Sequence, residues 1–153
     1  MAQGNTLNLE DARIGYRNFE GNEGKYNKAG DRNFVVFLDD DQAKELEAEG
    51  WNVKWPKAND EIDPEEDERQ PYLQVSVAYN NFPPTIVLVT DGNATRLSEE
   101  EVGMLDWADI VTSDIVIRPY YWTVNGNSGI KAYLKALYVT IETDAFASKY
   151  ENL

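Results

Sequence analysis

One stretch constrains this chain more than any other. From Ile110 it reads IVTSDIVIRPYYWTVNGNSGIKAYLKALYVTIE. Two β-prone arms, residues 110–124 and 130–141, flank the pentapeptide Asn125-Gly126-Asn127-Ser128-Gly129. The opening Asn-Gly and the closing Gly supply the positive φ angles that a short hairpin connection needs. The segment is therefore predicted to be a long antiparallel hairpin. Side chains alternate between the faces of a strand, so Arg118, Tyr120 and Trp122 share one side of the first arm. Lys131, Tyr133 and Lys135 share one side of the second.

No acidic residue occurs from Ile115 to Ile141, in a chain whose formal net charge is −14. Three cations interleaved with three aromatics suit a single-stranded nucleic acid, because bases stack on rings while Lys and Arg meet phosphates. Tyr and Trp are also good strand formers, and Lys commonly fills a wet face. The pattern is compatible with both readings.

The charge is unevenly placed. Residues 39–68 hold thirteen acids and three bases, whereas residues 118–141 hold three bases and no acid. The first 32 residues balance five bases against five acids. Bulk acidity argues against phosphate binding, but these two basic or balanced ends can still furnish a positive face. The chain has no Cys and no His. That removes a disulfide framework, thiolate chemistry, the Ser-His-Asp triad and most zinc sites. No apolar run approaches the length of a membrane span and no leader pattern opens the chain, so a cytoplasmic protein is expected. The length, 153 residues, suits one domain with a sizeable core.

Taken in order, residues 7–19 read as a first strand with Ile14, Tyr16 and Asn18 on one side and Arg13, Gly15, Arg17 and Phe19 on the other. The second set repeats the hairpin's mixture of cation and ring. Residues 20–30, rich in Gly, Asn and Lys, read as a loop carrying Lys25, Tyr26 and Lys28, a candidate finger over a bound strand. RNFVVFL (32–38) is an apolar strand. Asp39 caps a helix that Gly50 stops, with Ala43, Leu46 and Ala48 inward. WNVKW (51–55) alternates as a strand. Residues 58–70 form an acidic solvated loop. Strands follow at residues 72–80 and 86–89. Ser98 with Glu101 forms a capping box for a second helix, residues 98–107, with Val102, Leu105 and Trp107 facing the core.

About seven strands and two short helices follow from this alternation. The expected class is mainly β, an OB-like antiparallel barrel with two short helices and a long C-terminal β-hairpin. A jelly-roll or immunoglobulin-like sandwich is the alternative.

The order IGYRNFEG, KYNKAGDRNFVVFLD, WNVKW, YLQVSVAYNNFPP and IRPYYWTVNGNSGIKAYLKALYVTIE resembles bacteriophage replication-module single-stranded DNA-binding proteins with an OB fold. The resemblance extends over most of residues 7–150. It implies one domain over residues 1–153 that coats single-stranded DNA in the cytoplasm of the infected host cell, during replication or recombination, with little sequence preference, no catalysis and no cofactor. Carried onto this chain, the groove is lined by Arg13, Arg17 and Phe19 of the first strand and by Tyr26 and Lys28 of its loop. Arg118, Tyr120, Trp122, Lys131, Tyr133 and Lys135 come from the hairpin. Phage replication or recombination proteins are the implied partners, and a homodimer is compatible with the reading. An acidic tail ending in Phe, common among such proteins, has no counterpart in Ser148-Lys149-Tyr150-Glu151-Asn152-Leu153. The acidic stretch from Asp60 to Glu68 is the candidate to serve in place of such a tail.

Two other classes fit parts of the chain. An acidic structural or interaction protein, a virion component or a nucleic-acid mimic that binds a basic partner, would explain the −14 charge but not the acid-free hairpin. A Mg²⁺ nuclease could draw on Asp39 to Asp41, or on Asp106, Asp109 and Asp114, although their spacing demands no metal.

Overall fold

The computed structural model describes residues 6–25, 27–63, 65–80 and 82–142. Among them are nine strands: β1 (Leu7–Ala12), β2 (Ile14–Asn18), β3 (Arg32–Phe37), β4 (Val53–Lys54), β5 (Tyr72–Val77), β6 (Thr85–Thr90), β7 (Asn93–Arg96), β8 (Ile110–Val124) and β9 (Asn127–Ile141). One α-helix, α1 (Asp40–Glu49), and one 3-10 helix (Val102–Asp106) complete the set.

The long hairpin is present and forms the spine of the sheet. Its connection is tighter than predicted. Only Asn125 (φ 52°) and Gly126 (φ 82°) turn the chain, and β9 begins at Asn127. Two successive residues with positive φ make the turn whose twist matches that of the strands it joins. Gly129, expected to close the turn, lies within β9 and has no positive φ.

Strand order is β1-β8-β9-β5-β3-β2. The end strands β1 and β2 are consecutive in the chain, separated only by Arg13. The predicted single strand over residues 7–19 is therefore two strands with different partners: β1 pairs with β8 and β2 with β3. The break falls at a register shift where Asp11 takes a positive φ of 49°. Asp tolerates that region better than bulkier residues, and its backbone N–H donates to the Asp114 carboxylate at 2.9 Å. No hydrogen-bonded pair joins β1 to β2, so the sheet is not closed; its layout fits an OB-like β fold.

Not every ladder is antiparallel. β9 runs parallel to β5 at Val75 and Ser76, and parallel to β6 from Ala136 to Thr140. β9 changes partner across Lys135. There a register shift sets Val116 opposite Ala136 and Ile117 opposite Leu134, leaving Lys135 as the extra residue of a bulge. Before it the even residues Ile130, Ala132 and Leu134 point inward; after it the odd residues Leu137 and Val139 do.

Phe19, Phe34, Leu73, Val75, Ile115, Ile117, Leu134 and Leu137 are almost wholly inaccessible at the centre of the core. α1 forms as read: the Asp39 carboxylate accepts from the Gln42 N–H at 2.7 Å and Gly50 ends the helix at φ 108°. Ala43 and Leu46 are buried, whereas Ala48 is exposed. The second predicted helix shrinks to the 3-10 helix. The capping contact read at its start is correct, for the Glu101 carboxylate accepts from the Ser98 N–H at 2.9 Å, which lowers the Glu101 pKa, although the helix itself begins only at Val102. Its end is not: Trp107 is 86% exposed rather than in the core. WNVKW reduces to the two residues of β4 and a bridge from Trp51 to Ile130.

Candidate nucleic-acid interface

Directly opposed residues of an antiparallel pair share a face. On the hairpin Arg118 lies opposite Tyr133, Tyr120 opposite Lys131 and Trp122 opposite Gly129. The alternation read from the sequence therefore brings all five side chains to one face. Tyr120 and Tyr133 meet edge-on, with ring centroids 6.0 Å apart. The Arg118 guanidinium lies 5.6 Å from the Tyr133 ring, and Lys131 Nζ lies 5.0 Å from it. Tyr120 is 55% exposed and offers its ring to solvent.

Trp122 owes its place to Gly129. A Cβ on Gly129 would lie 2.8 Å from Trp122 Cζ2, so the indole rests against bare backbone across the hairpin. The sequence offered this glycine as a turn residue; its structural use is as a floor.

The face extends beyond the hairpin. Register places Ser76 of β5 beside Tyr133, and Asn33 of β3 opposite Ser76. One row thus crosses four strands: Asn33, Ser76, Tyr133, Arg118. Above it lies a groove of about 570 Å³, with Trp122, Lys131 and Tyr133 on one wall and Asn27, Asp31 and Arg32 on the other. Arg32 is held in place. Its Nε donates to the Phe19 carbonyl at 2.8 Å and its Nη1 pairs with Glu99 at 2.8 Å. Its guanidinium also covers the Tyr79 ring at 5.3 Å. Burial raises the Tyr79 pKa, and its hydroxyl has no hydrogen-bond partner among the described residues.

The remaining candidates are placed differently. Phe19 is fully buried, stacked on Phe34 at 5.1 Å, and is a core residue rather than a groove residue. Arg17 turns inward, where Nη1 donates to the carbonyls of Leu105 and Ala108 at 2.7 and 2.8 Å. It anchors the end of the 3-10 helix and does not line the hairpin groove. Both misplacements have one cause. β2 carries a register shift between Gly15 and Asn18, with Tyr16 at φ 43°, and an extra residue swaps the faces that simple alternation assigns. Arg13 is exposed but lies away from the hairpin groove, with its guanidinium 4.5 Å over the Phe37 ring. Lys28 is exposed in the loop beyond the groove wall, and Lys135 is exposed at the bulge; neither lines the groove. Tyr26 falls outside the described residues, as do residues 143–153.

Phe82 was read only as part of a turn. It is 65% exposed and sits 4.7 Å from the Arg118 guanidinium, which it flanks together with Tyr133. An aromatic in a polar loop just before Pro83-Pro84 was the available signal.

Among the described residues no group of three or more acidic side chains is placed to hold a metal ion. Asp39 caps α1, Asp106 accepts from the Phe19 and Glu20 N–H groups, and Asp114 accepts from Asp11. No helix among them is long and apolar enough to cross a membrane.

A family model described as "Putative phage ssDNA-binding domain" matches residues 2–153. Among solved structures, the chain is similar to the single-stranded DNA-binding protein from bacteriophage Enc34 in complex with ssDNA. That match has a TM-score of 0.58 and 13% identity over 92% of this chain and 89% of the other. A C-terminal truncation of the same phage protein gives 0.56 and 12%, covering 91% and 87%. A third structure of it gives 0.54 and 12%, covering 92% and 83%. At these identities the likeness is one of fold. No curated protein sequence matches the chain significantly.

Proposed function

The chain belongs to the phage single-stranded DNA-binding domain family, and from that premise we propose that it coats single-stranded DNA without catalysis and with little sequence preference. Residues 1–153 act as one such domain in this reading, on DNA inside the infected host cell, during replication or recombination. The observation that carries it is the hairpin face, where Tyr120, Trp122 and Tyr133 interleave with Arg118 and Lys131; of these, Trp122, Lys131 and Tyr133 line the groove. Every base has a π-face, so rings recruit bases whatever their identity, while the cations meet phosphates. The non-catalytic part rests on the residues themselves. The chain has no His and no Cys, and of the acids weighed as metal ligands Asp39, Asp106 and Asp114 are engaged by backbone N–H groups.

The test is fluorescence anisotropy with a labelled oligo-dT against duplex DNA of equal length, at low and moderate salt. Salt-sensitive binding to the single strand alone is expected. Absence of binding at low salt would discard the reading and turn attention to the acidic surface and a basic protein partner.

A further inference from the structure

We propose that the bound strand continues across the sheet to a second stacking patch, built from Tyr16, Phe37 and Tyr72 with Arg13 and Lys54. The inference rests on the single-stranded DNA reading above and extends its site beyond the hairpin.

Register defines the path. Asn33 lies opposite Ser76, Val35 opposite Gln74, and Phe37 opposite Tyr72, so one face of β3 and β5 carries these pairs in order. The first pair lines the hairpin groove. The last lines a separate cavity of about 410 Å³. Gln74 belongs to the groove and Tyr72 to the cavity, two residues apart on the same face of one strand. From Ser76 to Tyr72 the distance is about 13 Å along β5, at the usual rise per residue. One extended strand can span both.

The patch repeats the chemistry of the hairpin. Its three rings are mutually close: Tyr16 to Phe37 6.1 Å, Tyr16 to Tyr72 6.0 Å, Phe37 to Tyr72 6.4 Å. Arg13 covers Phe37 and is hydrogen-bonded to the Gln70 side chain. Lys54 sits opposite Tyr72 on β4, and Lys57 borders the same cavity. A cluster of rings serving only as core would be buried. Tyr16 is 73% exposed.

The backbone is shaped to present these rings. Tyr16 holds a positive φ at a bulge, a conformation rare for a bulky residue, and that bulge turns it to the outer face beside Arg13. Gly15 supplies a bare floor, since a Cβ there would lie 2.6 Å from the Phe37 ring. The same device seats Trp122 on Gly129 at the other end. Two aromatics on glycine floors thus bracket a single track.

The test compares oligo-dT of about four and about sixteen nucleotides, the range spanned by single domains of this kind. The full chain is used, with Tyr16→Ala, Tyr72→Ala and Lys54→Glu beside Trp122→Ala. Wild type gains affinity with length. The Tyr16 and Tyr72 variants are expected to lose about tenfold of that gain, equivalent to one stacked base. Their binding of the short oligonucleotide should not change, and Tyr16→Phe, which keeps the ring, should restore the gain. Trp122→Ala should weaken binding at both lengths. Lys54→Glu, an exposed charge change that leaves the core untouched, should flatten the salt dependence with the long oligonucleotide only. Patch variants that match wild type at both lengths, while Trp122→Ala loses affinity, would overturn the second patch and leave the hairpin site standing. A wild-type chain that binds neither length removes the function itself.

Discussion

At the scale of single residues, the site depends on rings held in fixed places. Gly129→Val would put a side chain where the Trp122 indole now lies, 2.8 Å from Cζ2. The half-buried indole at the surface of the hairpin should yield rather than the backbone. We expect affinity for single-stranded DNA to fall about tenfold, approaching Trp122→Ala, with an unchanged far-UV spectrum. Binding as tight as wild type would mean that the placement of Trp122 is immaterial. Phe19 makes the contrast. Phe19→Ala should cost about 3–5 kcal/mol in denaturant unfolding, the range for an aromatic lost from a packed core. Tyr120→Ala should act on affinity and barely on stability. Tyr79 gives a pH signature. Burial raises its pKa above the ordinary 10.0, so the unfolded chain ionises first. Stability is complete below that value and falls as pH rises through it; Tyr79→Phe should flatten the loss in unfolding titrations from about pH 9 to 12. Of these residues, the hairpin rings were legible because alternation holds from Arg118 to Trp122 and from Gly129 to Tyr133, clear of the bulge at Lys135. Phe19 and Arg17 were not, because one bulge at Tyr16 inverts the phase and nothing in the composition of IGYRNF marks it.

At the scale of elements, the 3-10 helix is a clamp on the end of β2. Arg17 donates to the Leu105 carbonyl within it and to the Ala108 carbonyl just beyond its end, and the Asp106 carboxylate accepts from the Phe19 and Glu20 N–H groups at 2.6 and 3.2 Å. Asp106→Ala would leave those donors without their acceptor, and thermal unfolding should register a loss of roughly 1–3 kcal/mol. An unchanged midpoint would show that solvent replaces the carboxylate freely. The same clamp explains why the expected full helix does not form. The Ser98–Glu101 contact forms as read, but the Leu105 and Ala108 carbonyls, which a helical ladder would use, are taken by Arg17, a partner about ninety positions earlier. α1 was readable at both ends because its cap and its stop are local. β7 was not, since Asn93–Arg96 is exposed throughout and shows no alternation. The parallel ladders of β9 were equally hidden, for strand direction is decided by chain path and not by side-chain pattern.

At the scale of the whole molecule, a net charge of −14 surrounds a hairpin that holds no acid from Ile115 to Ile141. Binding should therefore weaken steeply with salt, log K falling by about 0.7 per neutralised phosphate per decade. Replacing both Arg118 and Lys131 by Gln should lower that slope as well as the affinity; a slope that stays put would place the phosphates elsewhere. The overall class was legible because strand alternation recurs along the chain, yet the way the sheet returns toward itself was not. That return has a consequence measured in time. Leu7 and Leu9 find their partners at Ile117 and Ile115, and the Asp11 N–H finds its acceptor 103 positions downstream. During synthesis at roughly 5–20 residues per second, the first strand made waits on the order of 5–20 s for the strand that receives it. Until then its apolar residues stand without a neighbour, and the sheet cannot be completed before most of the chain has left the ribosome.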